Sequence, residues 1–443
     1  MIKTFKIGGI HPKDRKLSAD AAIETVAPSG TVRIFLSQHI GAPAEPVVAK
    51  GDTLKVGQLV GKATGFVSAN IHSSVSGTVT GIDRVQDHLG IYGNAVTVKV
   101  EGDEWMDDID RSNTIEHKIK LTAEEIVKKV AEKGVVGLGG AAFPAHVKLS
   151  VPPGKKAEYL IINAAECEPY LTSDYRVMME HCDELLVGVQ ILKKALNVPK
   201  AFIGVEINKP QAIDKLRAAI AGNEDVEIVP LKKKYPQGGE KQLIKAVVNR
   251  EVPSGGLPID VGAIVHNVGT ALAVYEAVQK NKPLIDNVIT ITGKDLSVQK
   301  NLRVRIGTPV ASLVEHVGGL PENTGKLILG GPMMGKAISN IDAPTQKSTS
   351  ALLMLPYSEA LRQTAAACIR CSRCVGACPM SLEPYLLKKF AERNMYDELE
   401  QDSVHDCIEC GCCLYSCPSN IALLDYIRIG KAEVMKIRRN RKK

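Results

Sequence analysis

The sequence predicts a multidomain α/β protein. Its units are a small all-β domain over residues 1–115, an α/β domain with a parallel sheet over 116–283, a small α+β module over 284–355 and a helical, cysteine-rich domain over 356–443. Three observations predict this. The chain has 443 residues, which at roughly 150 residues per domain means about three domains. Its hydrophobic pattern passes from short alternating runs to alternating strand and helix signals, then back to short strands and turns. Nine of its eleven cysteines fall between Cys368 and Cys417.

Apolar residues make up 44% and charged residues 24%, which excludes disorder, collagen and coiled coil as the main description. Aromatics are only 4%, so the cores rest on Val, Ile, Leu and Ala. The net charge of +7 is mild for this length and gives no indication of nucleic-acid binding. Much of the excess lies in Lys436, Arg438, Arg439, Arg441, Lys442 and Lys443. These residues read either as a solvated tail or as an attraction for anionic lipid or an acidic partner. No uncharged apolar run approaches the ~18 residues of a membrane-spanning helix, and Met1–Gly9 lacks a signal-peptide pattern. The chain is expected to stay in the cytoplasm or to lie against a membrane from that side.

Residues 30–100 carry short alternating runs (Thr31–Phe35, Gly77–Thr80, Ala95–Val100) between regular turn signals, the mark of a small all-β unit. The stretch Lys50–Lys62, followed by Ser76-Gly77-Thr78-Val79, resembles a lipoyl or biotinyl barrel-sandwich. Where those domains carry a cofactor-bearing lysine, this chain has Ala69–Ser74 and no lysine. A cofactor-free relative is expected, with His72 in a packing role. Residues 101–120 are polar and read as a linker. Thr122 with Glu125 starts a capped helix. Glu158–Ala164 and Ala201–Glu206 are apolar runs typical of buried parallel strands, and helical stretches at 174–196, 209–221 and 238–249 alternate with them.

The strongest motif is doubled. Cys368, Cys371, Cys374 and Cys378 are followed by Pro379; Cys407, Cys410, Cys413 and Cys417 are followed by Pro418. Each cysteine of the second run lies 39 residues after its counterpart, as Cys407 does after Cys368. The spacing is that of two-cluster ferredoxins, in which the fourth cysteine of each run ligates the other cluster. A tight loop with a thiolate at every third residue supplies three ligands, and the fourth arrives after the chain has turned. Two [4Fe–4S] clusters are therefore expected, one on Cys368, Cys371, Cys374 and Cys417, the other on Cys407, Cys410, Cys413 and Cys378. Zinc fits poorly, since its structural sites use separated pairs closing on one ion. Cys412 reads as a bystander.

A second signal is Gly137-Leu138-Gly139-Gly140 with Phe143 and Lys148. It follows a helix, so it is not the dinucleotide fingerprint. Glycines so close together let backbone approach a flat or phosphorylated ligand, and Lys148 could neutralise a phosphate. Polar groups follow three apolar segments: Asn163, Glu166 and Glu168; Tyr235, Gly238 and Glu240; Asn267 and Thr270. The carboxyl ends of parallel strands are where such sheets bind ligands.

These residues, with Gly8-Gly9-Ile10-His11-Pro12 and Gly330–Gly335, give the chain a near full-length resemblance to the RnfC family. That family comprises the peripheral NADH-oxidising subunits of ion-translocating ferredoxin:NAD oxidoreductases. The α/β domain is also similar to the flavoprotein subunit of respiratory complex I. The resemblance implies a barrel-sandwich hybrid domain, an FMN/NADH domain, a β-grasp-like (SLBB) module and a ferredoxin-type domain. It also implies that Gly137, Gly139, Gly140 and Lys148 hold FMN, and that Asn163, Glu166, Tyr235, Gly238, Asn267 and Thr270 contact the flavin. Phe143 would stack on the nicotinamide nucleotide, with Glu168 and Glu240 near bound NADH.

Leu138, Ala165, Gly239 and His266 depart from the relative's pattern. The implied partners are the membrane subunits and the ferredoxin-like subunit of the complex, with the membrane surface reached through them on its cytoplasmic side. Two alternatives stand beside this: a cobalamin reductase of bacterial microcompartments, and a non-catalytic scaffold that carries clusters only.

Overall fold

The structure is a computed structural model that describes residues 1–28 and 30–441. Lys442 and Lys443, the end of the basic tail, lie outside the described residues.

The β domain is built from two small sheets. One orders strands Thr31–Phe35, Tyr92–Val100, Gly77–Gln86 and Thr53–Leu54; the other orders Glu45–Pro46, Leu59–Lys62 and Ile71–His72. Val32, Ile34, Val60, Ile71, Val79, Val96 and Val98 fill the space between them. The turn that carries a lysine in lipoyl-type domains is buried here. Asn70 Nδ2 donates to Glu132 O (3.1 Å), and the Asn70 carbonyl accepts from Lys347 Nζ (2.9 Å), which also donates to Gly134 O (2.7 Å). The lysine at this turn comes from 277 residues away. His72 is buried, and burial lowers its imidazole to about 3, so it packs as a neutral ring.

Residues 1–26 pair outside the two small β sheets. Lys3 bridges to Leu231 and Ile10 to Tyr235, while Ile23–Thr25 adds a parallel edge to Lys300–Arg305. The segment is too short and polar to form a layer of its own, and its partners are far away in the chain. The stretch 101–120 is irregular but pinned: Trp105 is sandwiched between the Arg111 and Arg305 guanidinium groups (4.7 and 4.6 Å), and Lys280 Nζ donates to Asp110, Ser112 O and Thr114 O.

The α/β domain has a four-stranded, all-parallel sheet in the order Val226–Leu231, Ala201–Glu206, Tyr159–Ala164, Ala263–Asn267. Apolar helices cover it, as a sheet buried on both faces requires. Thr122 and Glu125 form the expected capping box on Ala123–Glu132. The helix expected over 174–196 is broken into Ser173–Glu180 and Cys182–Leu196. The break falls at His181, whose ring is held by Glu184 (3.2 Å) and Arg303 (3.1 Å), a tertiary contact that overrides local periodicity. The sheet topology brings Asn163, Glu206 and Asn267 to one edge, at the carboxyl ends of their strands.

The third unit is a six-stranded mixed sheet ordered Ile23–Thr25, Lys300–Arg305, Asp286–Gly293, Ala351–Pro356, Thr324–Leu329, Lys336–Ile338. The C-terminal unit is helical. Pro384–Glu392 and Tyr396–Gln401 pack on Leu423–Arg441 through Leu387, Leu399, Ile427 and Val434. Gly430 permits the approach, since a Cβ there would lie 2.7 Å from Leu399 Cδ1.

Burial lowers Lys347 to about 7, with only carbonyl oxygens around it. Between about pH 7 and the ordinary lysine value the unfolded chain binds the extra proton, so this group makes stability rise with pH across that window. Lys347→Met should flatten that rise, which thermal unfolding at a series of pH values would read out.

Candidate functional site

The glycine loop lies across the start of helix Val268–Gln279. Gly137 N donates to Phe143 O (2.9 Å) and closes the loop, and Leu138 N donates to Thr270 Oγ1 (2.9 Å). Asn267 caps the helix by accepting from Gly269 N (2.7 Å). A Cβ on Gly139 would meet Asn267 Nδ2 at 2.6 Å, whereas one on Gly140 would meet open space. Glycine is thus needed at 139 for the close approach, and 140 leaves a clear face. Gly139, Gly140 and Ala141 are exposed beside the positive end of the helix dipole.

Several of the other expected residues converge on the same edge. Lys148, on the short helix Ala145–Leu149, reaches Glu240 Oε1 (2.7 Å) and Val265 O (3.1 Å). Asn163 Nδ2 donates to Gly238 O (2.8 Å), and Gly238 N donates to Cys167 Sγ (3.4 Å). Asn267 Nδ2 donates to Asp174 Oδ2 (2.7 Å).

Two acidic residues turn away from the edge. Glu168 accepts from Met333 N (3.1 Å) and Met334 N (2.7 Å) and so holds the Gly330–Gly335 loop; burial raises it to about 7. Glu166 has a left-handed backbone (φ 47°), which costs about 1–2 kcal/mol in a non-glycine residue, and its carboxylate accepts from Asp174 N (2.7 Å).

Sequence reasoning missed the layer beneath. Lys16 Nζ donates to the carbonyls of Glu166, Glu168 and Leu171, and Lys209 Nζ to that of Ala165 (2.7 Å). Glu206 and Asp174 complete a buried charged group, in which burial and the neighbouring Glu166 raise Asp174 to about 7. Glu166 Oε2 and His266 Nε2 are buried without a hydrogen-bond partner. Such orphans are rare in a finished core and suit a site that takes a polar group.

The departures are absorbed locally. Leu138 packs over Gly269, and Gln242 Oε1 lies where a Gly239 Cβ would point.

One cysteine of the first run lies beside the second run. Cys378, Cys407, Cys410 and Cys413, with Cys412 beside them, line one small apolar space walled by Met380, Leu387, Leu424 and Ile427. A residue of the first run therefore shares an apolar space with Cys407, Cys410, Cys412 and Cys413; a cubane needs thiolates that arrive in this way from separate stretches of chain. Among the described residues no three His, Cys, Asp or Glu side chains converge tightly enough to chelate one ion; these four surround a volume instead. Of the other set, Cys368 and Cys371 are exposed, and Cys374 and Cys417 are partly buried in the helical core.

The two sites meet at Tyr235, whose hydroxyl donates to Cys410 O (2.9 Å). Cys412 is fully buried at the same junction, with its Sγ 3.9 Å from Tyr235 O. Gly9 N donates to Ala377 O (2.9 Å) and Ile10 pairs with Tyr235, so the N-terminal segment braces both sides.

Comparison with known proteins agrees with this architecture throughout the chain. Residues 3–104 match the RnfC barrel sandwich hybrid domain, 130–276 the Nuo51 FMN-binding domain, 288–337 the SLBB domain and 360–418 a 4Fe-4S dicluster domain. The chain is 47% identical to a subunit of the proton-translocating ferredoxin:NAD(+) oxidoreductase complex of Clostridium ljungdahlii, over 98% of this chain and 94% of that one. It is 44% identical to the corresponding subunit of the Na(+)-translocating ferredoxin:NAD(+) oxidoreductase complex of Acetobacterium woodii, over 98% of each.

The chain belongs to the RnfC family.

A subunit of the ion-translocating oxidoreductase complex of Rhodobacter capsulatus is 41% identical over 87% of this chain and 75% of that one. Among solved structures, a chain of an NAD+-reducing [NiFe]-hydrogenase superposes with a TM-score of 0.51 at 17% identity. It covers 70% of this chain, which spans 63% of that chain's length, and it shows the shared fold. The cobalamin-reductase and scaffold alternatives gain no support from these relatives. As an RnfC family member the chain has an FMN-binding domain and a two-cluster [4Fe–4S] domain.

Gly8 (φ 64°) is pressed against the first cysteine run, and a Cβ there would lie 2.3 Å from Cys378 O. Gly8→Val should displace Cys378 and cost about half of the bound iron, one of two [4Fe–4S] clusters. Iron and sulfide analysis of anaerobically reconstituted protein checks this; full iron content would show that the brace does not fix Cys378.

Proposed function

We propose that the chain oxidises NADH at FMN and passes the electrons through two [4Fe–4S] clusters, as the RnfC component of an ion-translocating ferredoxin:NAD(+) oxidoreductase. The observation that carries this reading is the Tyr235–Cys410 hydrogen bond, which joins the edge bearing the glycine loop to the space lined by Cys378, Cys407, Cys410 and Cys413. FMN, when bound, would supply the chemistry the protein itself lacks, taking up two electrons together and giving them out one at a time.

The chain's own residues bind and align. Gly137, Gly139 and Gly140 offer backbone and a clear face. Lys148 offers a cation, and within the pocket its present partner Glu240 is the group a phosphate would displace. Asn163, Gly238, Asn267 and Thr270 fix the loops that border the ring, and Phe143 and Glu240 border the nucleotide. No general base is required, because hydride transfer depends on alignment above all. Cys407, Cys410, Cys413 and Cys378 hold the inner cluster, next to Tyr235. Cys368, Cys371, Cys374 and Cys417 hold the outer one, whose exposed cysteines face a partner.

Among the described residues no helix is long and apolar enough to cross a membrane. Ion movement therefore belongs to other subunits, and this chain sits peripherally on their cytoplasmic side.

Anaerobic reconstituted protein titrated with NADH should lose its flavin absorbance and develop cluster EPR signals. Protein that binds zinc, or that leaves NADH unoxidised, would overturn the reading. Lys148→Ala should weaken FMN binding about 10- to 100-fold, the weight of a lost hydrogen bond to a charged group. Flavin fluorescence titration measures it, and unchanged affinity would remove Lys148 from the site.

A further inference from the structure

The reaction proposed above leaves a proton to be placed. When NADH becomes NAD+, its C4–H bond breaks, and hydride carries two electrons and one proton to the sheet edge. The electrons leave singly through the clusters, which take no proton with them. One proton per NADH must therefore leave the edge by another route.

The buried group beneath the edge is composed to hold one proton. Glu166, Asp174 and Glu206 supply three carboxyls, and Lys16 and Lys209 supply two amines. With all five ionised, one negative charge would stay uncompensated away from water, which is costly. A proton held on one carboxyl removes that cost.

The members stand in series. Glu166 Oε1 accepts from Asp174 N (2.7 Å), while its Oε2 is buried without a hydrogen-bond partner and lies 4.0 Å from Lys16 Nζ. Lys209 Nζ donates to the carbonyl of Ala165, next to Glu166 in the chain, and lies 3.7 Å from Glu206 Oε2. Lys209 Nζ also donates to Asn208 Oδ1 (3.3 Å), and Asn208 Nδ2 donates to Asp14 Oδ2 (3.3 Å). Asp14 pairs with Lys233 (3.1 Å), and both of these side chains are 40% exposed. The series thus runs from the ligand edge to water.

Burial raises Glu166 and Glu206 above the ordinary carboxylate range and lowers Lys16 to about 8, so these groups exchange protons near neutral pH. Two other titratable groups border them. Cys167, pushed up to about 12 by burial, stays a neutral thiol, and Glu168 is held by Met333 N and Met334 N.

We propose that Glu166 receives the proton left by oxidised NADH and that Lys16, Lys209 and Glu206 relay it to the surface at Asp14. The inference rests on the functional reading above. An O–H bond forms at Glu166 Oε2 as the proton leaves the edge, and the group returns to its starting state when one proton passes from Asp14 to water. This step follows hydride transfer, which itself needs no base.

The test uses the reconstituted full chain in weakly buffered anaerobic solution. A single turnover with NADH is followed by flavin and cluster absorbance and, in parallel, by a pH-indicator dye. In the unmodified protein proton release should keep pace with cluster reduction. Glu206→Gln should slow release about 100-fold, the weight of a positioned proton-transfer group, and Glu206→Asp should restore it. Infrared difference spectra of the same turnover should show a carboxylic-acid band that persists in Glu206→Gln and is absent from Glu166→Gln. Glu168→Gln removes a carboxyl outside the series and should release protons in step.

The proposal is overturned if Glu206→Gln and Glu166→Gln release protons as fast as the unmodified protein, or if Glu168→Gln slows release equally. Should either substitution lower flavin or iron content, Asp14→Asn at the surface end reads the same delay, and its absence there overturns the proposal. Prompt release from these variants with full cluster reduction sinks this inference alone. Unmodified protein in which NADH reduces neither flavin nor clusters sinks the proposed function and this inference with it.

Discussion

The junction at Tyr235 is the constraint on which the rest of the structure depends. A phenol that is almost wholly buried donates to a backbone carbonyl of the second cysteine run, and a strand from the N-terminus lies against it. A hydrogen bond of this kind contributes only about 1 kcal/mol net, yet leaving the carbonyl unpaired would cost about 1–3 kcal/mol. Its effect is mainly geometric. Two domains with separate cores are held in one orientation, so the flavin edge and the cysteine cavity keep a fixed separation. The close approach of Gly8 to Cys378 and the bond from Gly9 to Ala377 secure the same junction from a third direction.

The charged layer under the sheet edge follows a related logic. Lys16, Lys209, Glu206, Glu166 and Asp174 come from four separate stretches of chain and are withdrawn from water together. Buried charges persist only when paired and hydrogen-bonded, and here the lysines satisfy backbone carbonyls of the Ala165–Leu171 turn. That turn is held in a conformation it would not keep alone, with Glu166 left-handed. Strain retained at a ligand edge is typical of functional sites.

Much of this was legible in the sequence, for physical reasons that differ by element. The cysteine runs were readable because ligand geometry is local: three thiolates every third residue, then a turn. The glycine loop was readable for the same reason. The parallel strands announced themselves as continuous apolar runs. What escaped reading was non-local. Nothing near Lys16 marks it as a partner of the Glu166 turn, 150 residues on. Nothing near His181 says that Arg303 will break a helix there. Asp174 reads as an ordinary first-turn acid, and Glu168 as a ligand neighbour, until the loop at Met333 closes over it. The pairings of residues 1–26 with Leu231, Tyr235 and Lys300–Arg305 were not legible because those partners lie far along the chain.

The immobilised turn at Asn70 has a consequence for how the protein works. In lipoyl and biotinyl proteins the equivalent turn is a free tip whose lysine sweeps a tethered group between stations. Here the tip is pinned under a neighbouring domain, and the amine arriving from Lys347 acts as a rivet instead of an arm. The β domain therefore works as a buttress. Nothing at this turn is free to swing.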